Sequence, residues 1–218
     1  MVKSRKKVMK LRKKELAMEF YKILTGLYPN ADCTLDYETP LQLLIATVLA
    51  AQCTDARVNI VTKDLFKKYK DVYSFANASL AELEEDIRPT GFYHNKAKNI
   101  INCCKRLIDV YGGNVPDNME DLLTLDGVGR KTANLVLGDI FGKGGMVIDT
   151  HAKRILYRVG LTKETDPHKV ELDTQKLLPP NLQSDFCHKL VMHGRAVCTA
   201  RKAKCEICAA NEICKKRY

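Results

Sequence analysis

The stretch "LDGVGRKTA", Leu125 to Ala133, constrains the fold more than any other in this chain. Before it, "PDNMEDLLTL" offers Pro116 and Asp117 as start signals and places Met119, Leu122 and Leu123 at helical spacing; after it, "KTANLVLGDIF" resumes the same spacing. The stretch therefore joins two helices through a very short turn. Such a turn needs residues that tolerate φ > 0, which Gly127 and Gly129 supply, while Val128 between them faces the core and ties the helices together. Amides at a glycine turn that opens a helix point outward beside the positive end of the helix dipole, so they are suited to a phosphate. The bland alternative is an ordinary helical hairpin with glycine in its bend. The basic pair that follows, Arg130 and Lys131, tips the reading toward an anion.

The rest of the chain is read in the same period. Helix starts appear at "TPLQLL", "SLAELEEDI", "DPHKVEL" and "LQSDFCHKLVMH", with stops at Pro179 and Pro180 or at glycine pairs. No stretch alternates convincingly enough to be a strand, so the expected class is all-α. "TPLQLLIATVLAAQCTDARVNIV" is apolar on most faces, which predicts a central helix surrounded by others. At 218 residues the chain is long enough for one large domain or two small ones.

The net charge of +10 points to a polyanionic partner, but its distribution weakens the point. Residues 1–14 hold eight Lys or Arg and no acid, so the remaining 204 residues carry 28 basic and 26 acidic groups, a net of +2. Most of the excess is a basic tail of the kind that is usually a solvated arm. The start lacks the apolar core of a secretory signal, and "LLIATVLAA" is too short to span a bilayer, so an intracellular, soluble protein is expected. In that setting the nine cysteines are read as reduced thiols or metal ligands.

Cys198, Cys205, Cys208 and Cys214 form a C-x6-C-x2-C-x5-C pattern. Four-cysteine sites serve zinc or iron-sulfur clusters; zinc more often has two close C-x2-C pairs, so a single tight pair with wider spacers favours a 4Fe-4S cluster. Arg201, Lys202 and Lys204 lie between the first two cysteines, where a pinned loop would present them to phosphates. Cys33, Cys53, Cys103, Cys104 and Cys187 lack any such spacing and are read as small buried apolar residues.

"LDGVGRKTANLVL", then "VIDTHAKRILYRVG", then the cysteine pattern stand in an order and spacing that resemble the endonuclease III family of DNA glycosylases, over a span from "TPLQLLIATVLAAQCTDARVN" to Cys214. The resemblance implies two helical domains with a DNA-binding cleft between them. Residues 33–143 would form a six-helix barrel with the helix-hairpin-helix, and residues 1–32 and 144–218 a 4Fe-4S cluster domain. It implies base excision repair of oxidised pyrimidines in double-stranded DNA by a monomer, cytoplasmic and nucleoid-associated in a prokaryote. Its catalytic lysine falls on Lys131 and its catalytic aspartate on Asp149.

The chemistry of that pairing makes sense. An amine that attacks C1′ of the deoxyribose yields a Schiff base, from which β-elimination cuts the strand on the 3′ side. The amine must be uncharged to attack. A helix start disfavours a cation by only about 0.3–1 kcal/mol, so desolvation or a base must remove the proton. Asp149 is a candidate base or stabiliser of the positive charge on the departing sugar, and its local alternative is a helix N-cap. By the same resemblance Gln52 fills the hole left by an extruded base and Phe92 wedges into the stack, at a position where the family commonly carries leucine. Leu125, Gly127, Val128, Gly129, Arg130 and His151 would join the cluster-loop cations in binding DNA. The competing readings are a monofunctional glycosylase, whose relatives lack lysine at this position, a non-catalytic DNA-binding hairpin, and an electron-transfer iron-sulfur protein.

Overall fold

Helix α2, Pro40–Leu49, is buried at every position from Leu43 to Leu49. In the computed structural model, which describes residues 12–217, it lies at the heart of a unit formed by residues 33–143. Thr39 opens it by accepting the Gln42 amide at 3.2 Å, with Pro40 at the first position, where a missing N–H is harmless. The sequence reading carried this helix through to Val61, but it ends at Leu49. Gln52 adopts φ 55°, and a new helix, α3, Asp55–Lys68, starts behind a Thr54 cap. An apolar run measures burial, not continuity, and the left-handed residue interrupts the ladder.

Around α2 and α3 pack α4, Val72–Ala76; α5, Leu80–Ile87; α6, Tyr93–Tyr111; α7, Met119–Leu122; and α8, Arg130–Asp139. A 3₁₀ turn, Arg88–Thr90, links α5 to α6. Their shared core includes Leu43, Leu83, Ile100, Leu107 and Val136. Helix α7 starts later than Pro116 and Asp117 suggested. Asn118 is its cap, because its side-chain oxygen takes the Asp121 amide at 2.9 Å.

The other unit is made of residues up to Asp32 together with Gly144 onward. It holds α1, Lys13–Leu27; α9, Thr150–Val159; α10, Pro167–Thr174; and α11, Pro180–Ala196. Its own core is built on Phe20, Leu24, Ile155, Leu156, Phe186 and Leu190. Pro180 opens α11 rather than stopping a helix, since proline is preorganised for a first turn. Between α1 and α11 the buried Lys189 ammonium pairs with Asp185, and the Tyr21 hydroxyl donates to the same carboxylate at 2.8 Å. A buried cation is tolerable only with such partners. Among the described residues there is no strand, as the sequence led us to expect, and no helix is long and apolar enough to cross a membrane. Most of the basic tail, residues 1–11, lies outside the described residues.

Candidate DNA interface and cysteine loop

The glycine hairpin is held from behind by α6. Asn102 donates to Asp126 at 2.9 Å, Arg106 donates to the Thr124 hydroxyl at 3.0 Å, and the Tyr111 hydroxyl lies 3.0 Å from the same oxygen. Gly127 has φ 78°, which favours glycine, and a Cβ there would come within 3.1 Å of the Asn99 side chain, which would have to shift to admit it. Gly129 differs from the sequence reading: at φ −98° it is extended backbone, with open space where a Cβ would project. It is the N-cap of α8 and, as a glycine, supplies no capping side chain. The Val128 amide donates to the Leu125 carbonyl at 3.1 Å. Leu125 and Val128 bury their side chains in the core, so they shape the turn from inside while Gly127 and Gly129 are exposed. Arg130 and Lys131 are the first two residues of α8, and Lys131 is exposed.

Gln52 and Phe92 belong to the same unit. Among the described residues the non-glycine positions at positive φ are Gln52, Phe92 and Lys216. A left-handed residue without glycine is strained by about 1–3 kcal/mol and tends to mark a functional site. Phe92, at φ 50°, is 62% exposed rather than a core aromatic, and it stands immediately before α6.

Asp149 lies in the other unit, where Oδ1 caps α9 by accepting the Ala152 amide at 2.7 Å. A carboxylate has a second oxygen, so the cap does not preclude chemistry on the same side chain. His151 follows in the first turn, its Nδ1 3.1 Å from the Arg154 guanidinium and packed so tightly on Gly194 that a Cβ there would meet it at 2.4 Å.

The cysteine loop rests on α9. Arg154 donates to the Cys198 carbonyl at 2.9 Å and Gly194 at 3.2 Å; Arg158 donates to the Thr199 carbonyl at 2.7 Å and the Cys198 sulfur at 3.5 Å. The sequence reading missed both arginines. Their signal was only an i, i+4 repeat in "RILYR", which reads as a solvated face. The Cys214 sulfur lies 3.5 Å from the Arg158 carbonyl and receives the Lys216 amide at 3.4 Å, while the Cys208 sulfur sits 3.7 Å from His193 Nε2. Burial pushes the His193 imidazole down to about 4, so this ring is neutral at physiological pH. Burial also pushes the Cys208 and Cys214 thiols up, and the charges of the neighbouring cysteines in the loop add to it. The four thiols, all half-buried, are a donor set that a strongly positive group would satisfy. Among the described residues no three His, Cys, Asp or Glu side chains are gathered to hold a single metal ion. Arg201 and Lys202 are exposed, and the Lys204 ammonium donates to the Ala196 carbonyl at 3.0 Å, at the end of α11. Of the remaining cysteines, Cys103, Cys104 and Cys187 are buried, with the Cys103 thiol pushed up to about 12, but Cys33 and Cys53 are only half-buried, contrary to the sequence reading.

A glycine bend with an uncapped helix start behind it defines a helix-hairpin-helix protein. The sequence model for the HhH-GPD superfamily base excision DNA repair protein matches residues 45–180. Endonuclease III of Synechocystis sp. is 51% identical over 203 residues, covering 93% of each chain. A non-covalent endonuclease III–DNA complex superposes with a TM-score of 0.86 at 40% identity, over 94% of this chain and 96% of that one. A trapped endonuclease III–DNA covalent intermediate, an estranged-adenine complex, gives the same TM-score and identity over 94% and 97%. The chain belongs to the endonuclease III family and is a DNA glycosylase of base excision repair.

Proposed function

We propose that this glycosylase is bifunctional, removing oxidised pyrimidines from duplex DNA and then cutting the strand as an abasic-site lyase. The observation that carries the proposal is an exposed lysine, Lys131, in the first turn of a helix whose start has no side-chain cap. In a first turn a cation is mildly unfavourable, so Lys131 stands there for chemistry, while the turn's amides hold a phosphate beside it.

The neutral Lys131 amine bonds to C1′ as the glycosidic C1′–N bond breaks, and the base leaves with the electron pair and takes up a proton. Opening of the sugar ring gives a Schiff base. Loss of a C2′ proton then expels the 3′ phosphate and cuts the strand. Asp149 takes the proton of the attacking ammonium or balances the positive sugar as the base departs. Gln52 pairs with the orphaned base and Phe92 stacks into the gap, two roles that suit exposed residues set in left-handed backbone.

Phosphates are held by the main chain at Gly127 and Gly129, by Arg130, and by Arg201 and Lys202; Leu125 and Val128 support the bend, and His151 and Lys204 contribute from α9 and the cysteine loop. Cys198, Cys205, Cys208 and Cys214 would hold a 4Fe-4S cluster, whose iron would bind the four thiolates and fix the loop. The trapped covalent complex of a relative at 40% identity supports the covalent step.

Borohydride trapping on a duplex with one thymine glycol tests the proposal. The protein is expected to form a covalent adduct and Lys131→Ala none. An undiminished adduct in Lys131→Ala, or cleavage without any adduct, would overturn it.

A further inference from the structure

Lys96 is a buried cation, bonded to two main-chain carbonyls, that the chemistry above does not use. It lies in the second turn of α6, 4% exposed, with its ammonium 2.8 Å from the Leu49 carbonyl and 2.9 Å from the Thr90 carbonyl. Leu49 is the last residue of α2, and Thr90 the last of the 3₁₀ turn before α6. Carbonyls at helix ends lack amide partners from their own helix. The nearby amides of Ala50, Ala51 and Cys53 are engaged by Ala46, Val48 and Ala50, and the Leu49 carbonyl accepts a hydrogen bond from the Lys96 ammonium.

What lies just beyond these two carbonyls gives the contact its meaning. Three residues after Leu49 comes Gln52 at φ 55°, and two residues after Thr90 comes Phe92 at φ 50°. The Lys96 amide also donates to the Phe92 carbonyl at 3.1 Å. Neither strained residue is held by a side-chain cap or glycine of its own, and such conformations persist only where the surroundings over-determine them. Burial pulls the Lys96 ammonium below the ordinary lysine range, with the Cys53 sulfur opposing, so the cation is kept there at a cost which the two carbonyls offset. A leucine or methionine would fill the same space without that cost.

We propose that Lys96 is a positioning residue, whose ammonium binds the end of α2 to the turn before α6 and so holds Gln52 and Phe92 at the spacing that gap filling in the duplex requires. This rests on the reading of those two residues as plug and wedge. A shift of about 1 Å in a positioning contact can cost about a hundredfold in rate.

The test compares strand cleavage at one abasic site in duplex DNA with cleavage at the same site in a single strand, which has no opposite base to replace and no pair to part. Lys96→Met keeps the apolar stem and removes the donors. It is expected to lower the duplex-to-single-strand ratio of kcat/KM by about tenfold or more, the same fall that is expected of Gln52→Ala and Phe92→Ala. A general folding defect would lower both substrates together and leave the ratio in place. A Lys96→Met ratio equal to that of the unaltered protein, while Gln52→Ala and Phe92→Ala lower it, would overturn the positioning role alone. If Gln52→Ala and Phe92→Ala leave the ratio unchanged, the plug-and-wedge reading fails and the positioning role falls with it. Should Lys96→Met not fold, Lys96→Gln, which retains a donor for one carbonyl, is measured in its place and is expected to give a smaller fall; no fall would be equally decisive against the role.

Discussion

Phe92 combines left-handed backbone with a mostly exposed ring, so folding and function make opposite demands on it. Replacing it by glycine removes the strain and the ring together. Phe92→Gly is expected to change unfolding free energy by no more than about 1 kcal/mol, since relief of a left-handed residue offsets glycine's larger loss of chain entropy. Cleavage of damaged duplex is expected to fall clearly. A large loss of stability in a denaturant titration would show instead that the ring packs a core. Asp149 poses a parallel case, where one side chain caps α9 and is assigned to the reaction. An asparagine side chain still caps a helix, so Asp149→Asn is expected to melt like the unaltered protein but cleave poorly. Asp149→Ala should cleave poorly and also lose about 1 kcal/mol of stability. Full activity in Asp149→Asn would reduce this residue to a cap.

The hairpin contains two glycines that look equivalent in the sequence and are not. Gly127 is left-handed and crowded by Asn99, whereas Gly129 is extended and open. Gly127→Ala is expected to destabilise the protein by about 1–3 kcal/mol, and Gly129→Ala by no more than about 1 kcal/mol. Equal losses in thermal unfolding would contradict this asymmetry. The hairpin itself was legible because a helical period broken by G-x-G can hardly be built otherwise. Which glycine carries the strain was not, because that depends on Asn99 of α6, a contact distant in sequence. The break after Leu49 was hidden for a related reason: Gln52 is no helix breaker by propensity, and its left-handed backbone is set by tertiary structure. Arg154 and Arg158 were invisible because their partners are main-chain carbonyls of the cysteine loop, which no side-chain pattern encodes. The caps at Thr39 and Asp166, by contrast, lie within a few residues of the amides they bind, so local sequence reveals them.

Across the whole molecule the two units have separate cores, one of α2 to α8 and the other of α1 with α9 to α11. The cysteine loop belongs wholly to the second, anchored by Arg154 and Arg158 on α9 and by the Lys215 amide, which donates to the Val159 carbonyl at 3.2 Å. Closing a loop of this kind through a bound cluster would stabilise the folded chain by restricting the unfolded one, and ligation would draw the protons from the Cys208 and Cys214 thiols, which burial otherwise keeps from ionising. Loss of the proposed cluster should therefore be felt in one unit before the other. Cys208→Ser is expected to abolish visible iron-sulfur absorption and to speed amide exchange across residues 144–217, most of all after Ala196. The amides of α2, buried in a core that contains none of the four cysteines of the loop, should keep their protection. Hydrogen exchange read by mass spectrometry on both proteins decides the matter. Equal acceleration in both units would mean that the cluster supports the molecule as one cooperative body, and unchanged exchange near Cys214 would mean that hydrogen bonds from α9 hold the loop unaided.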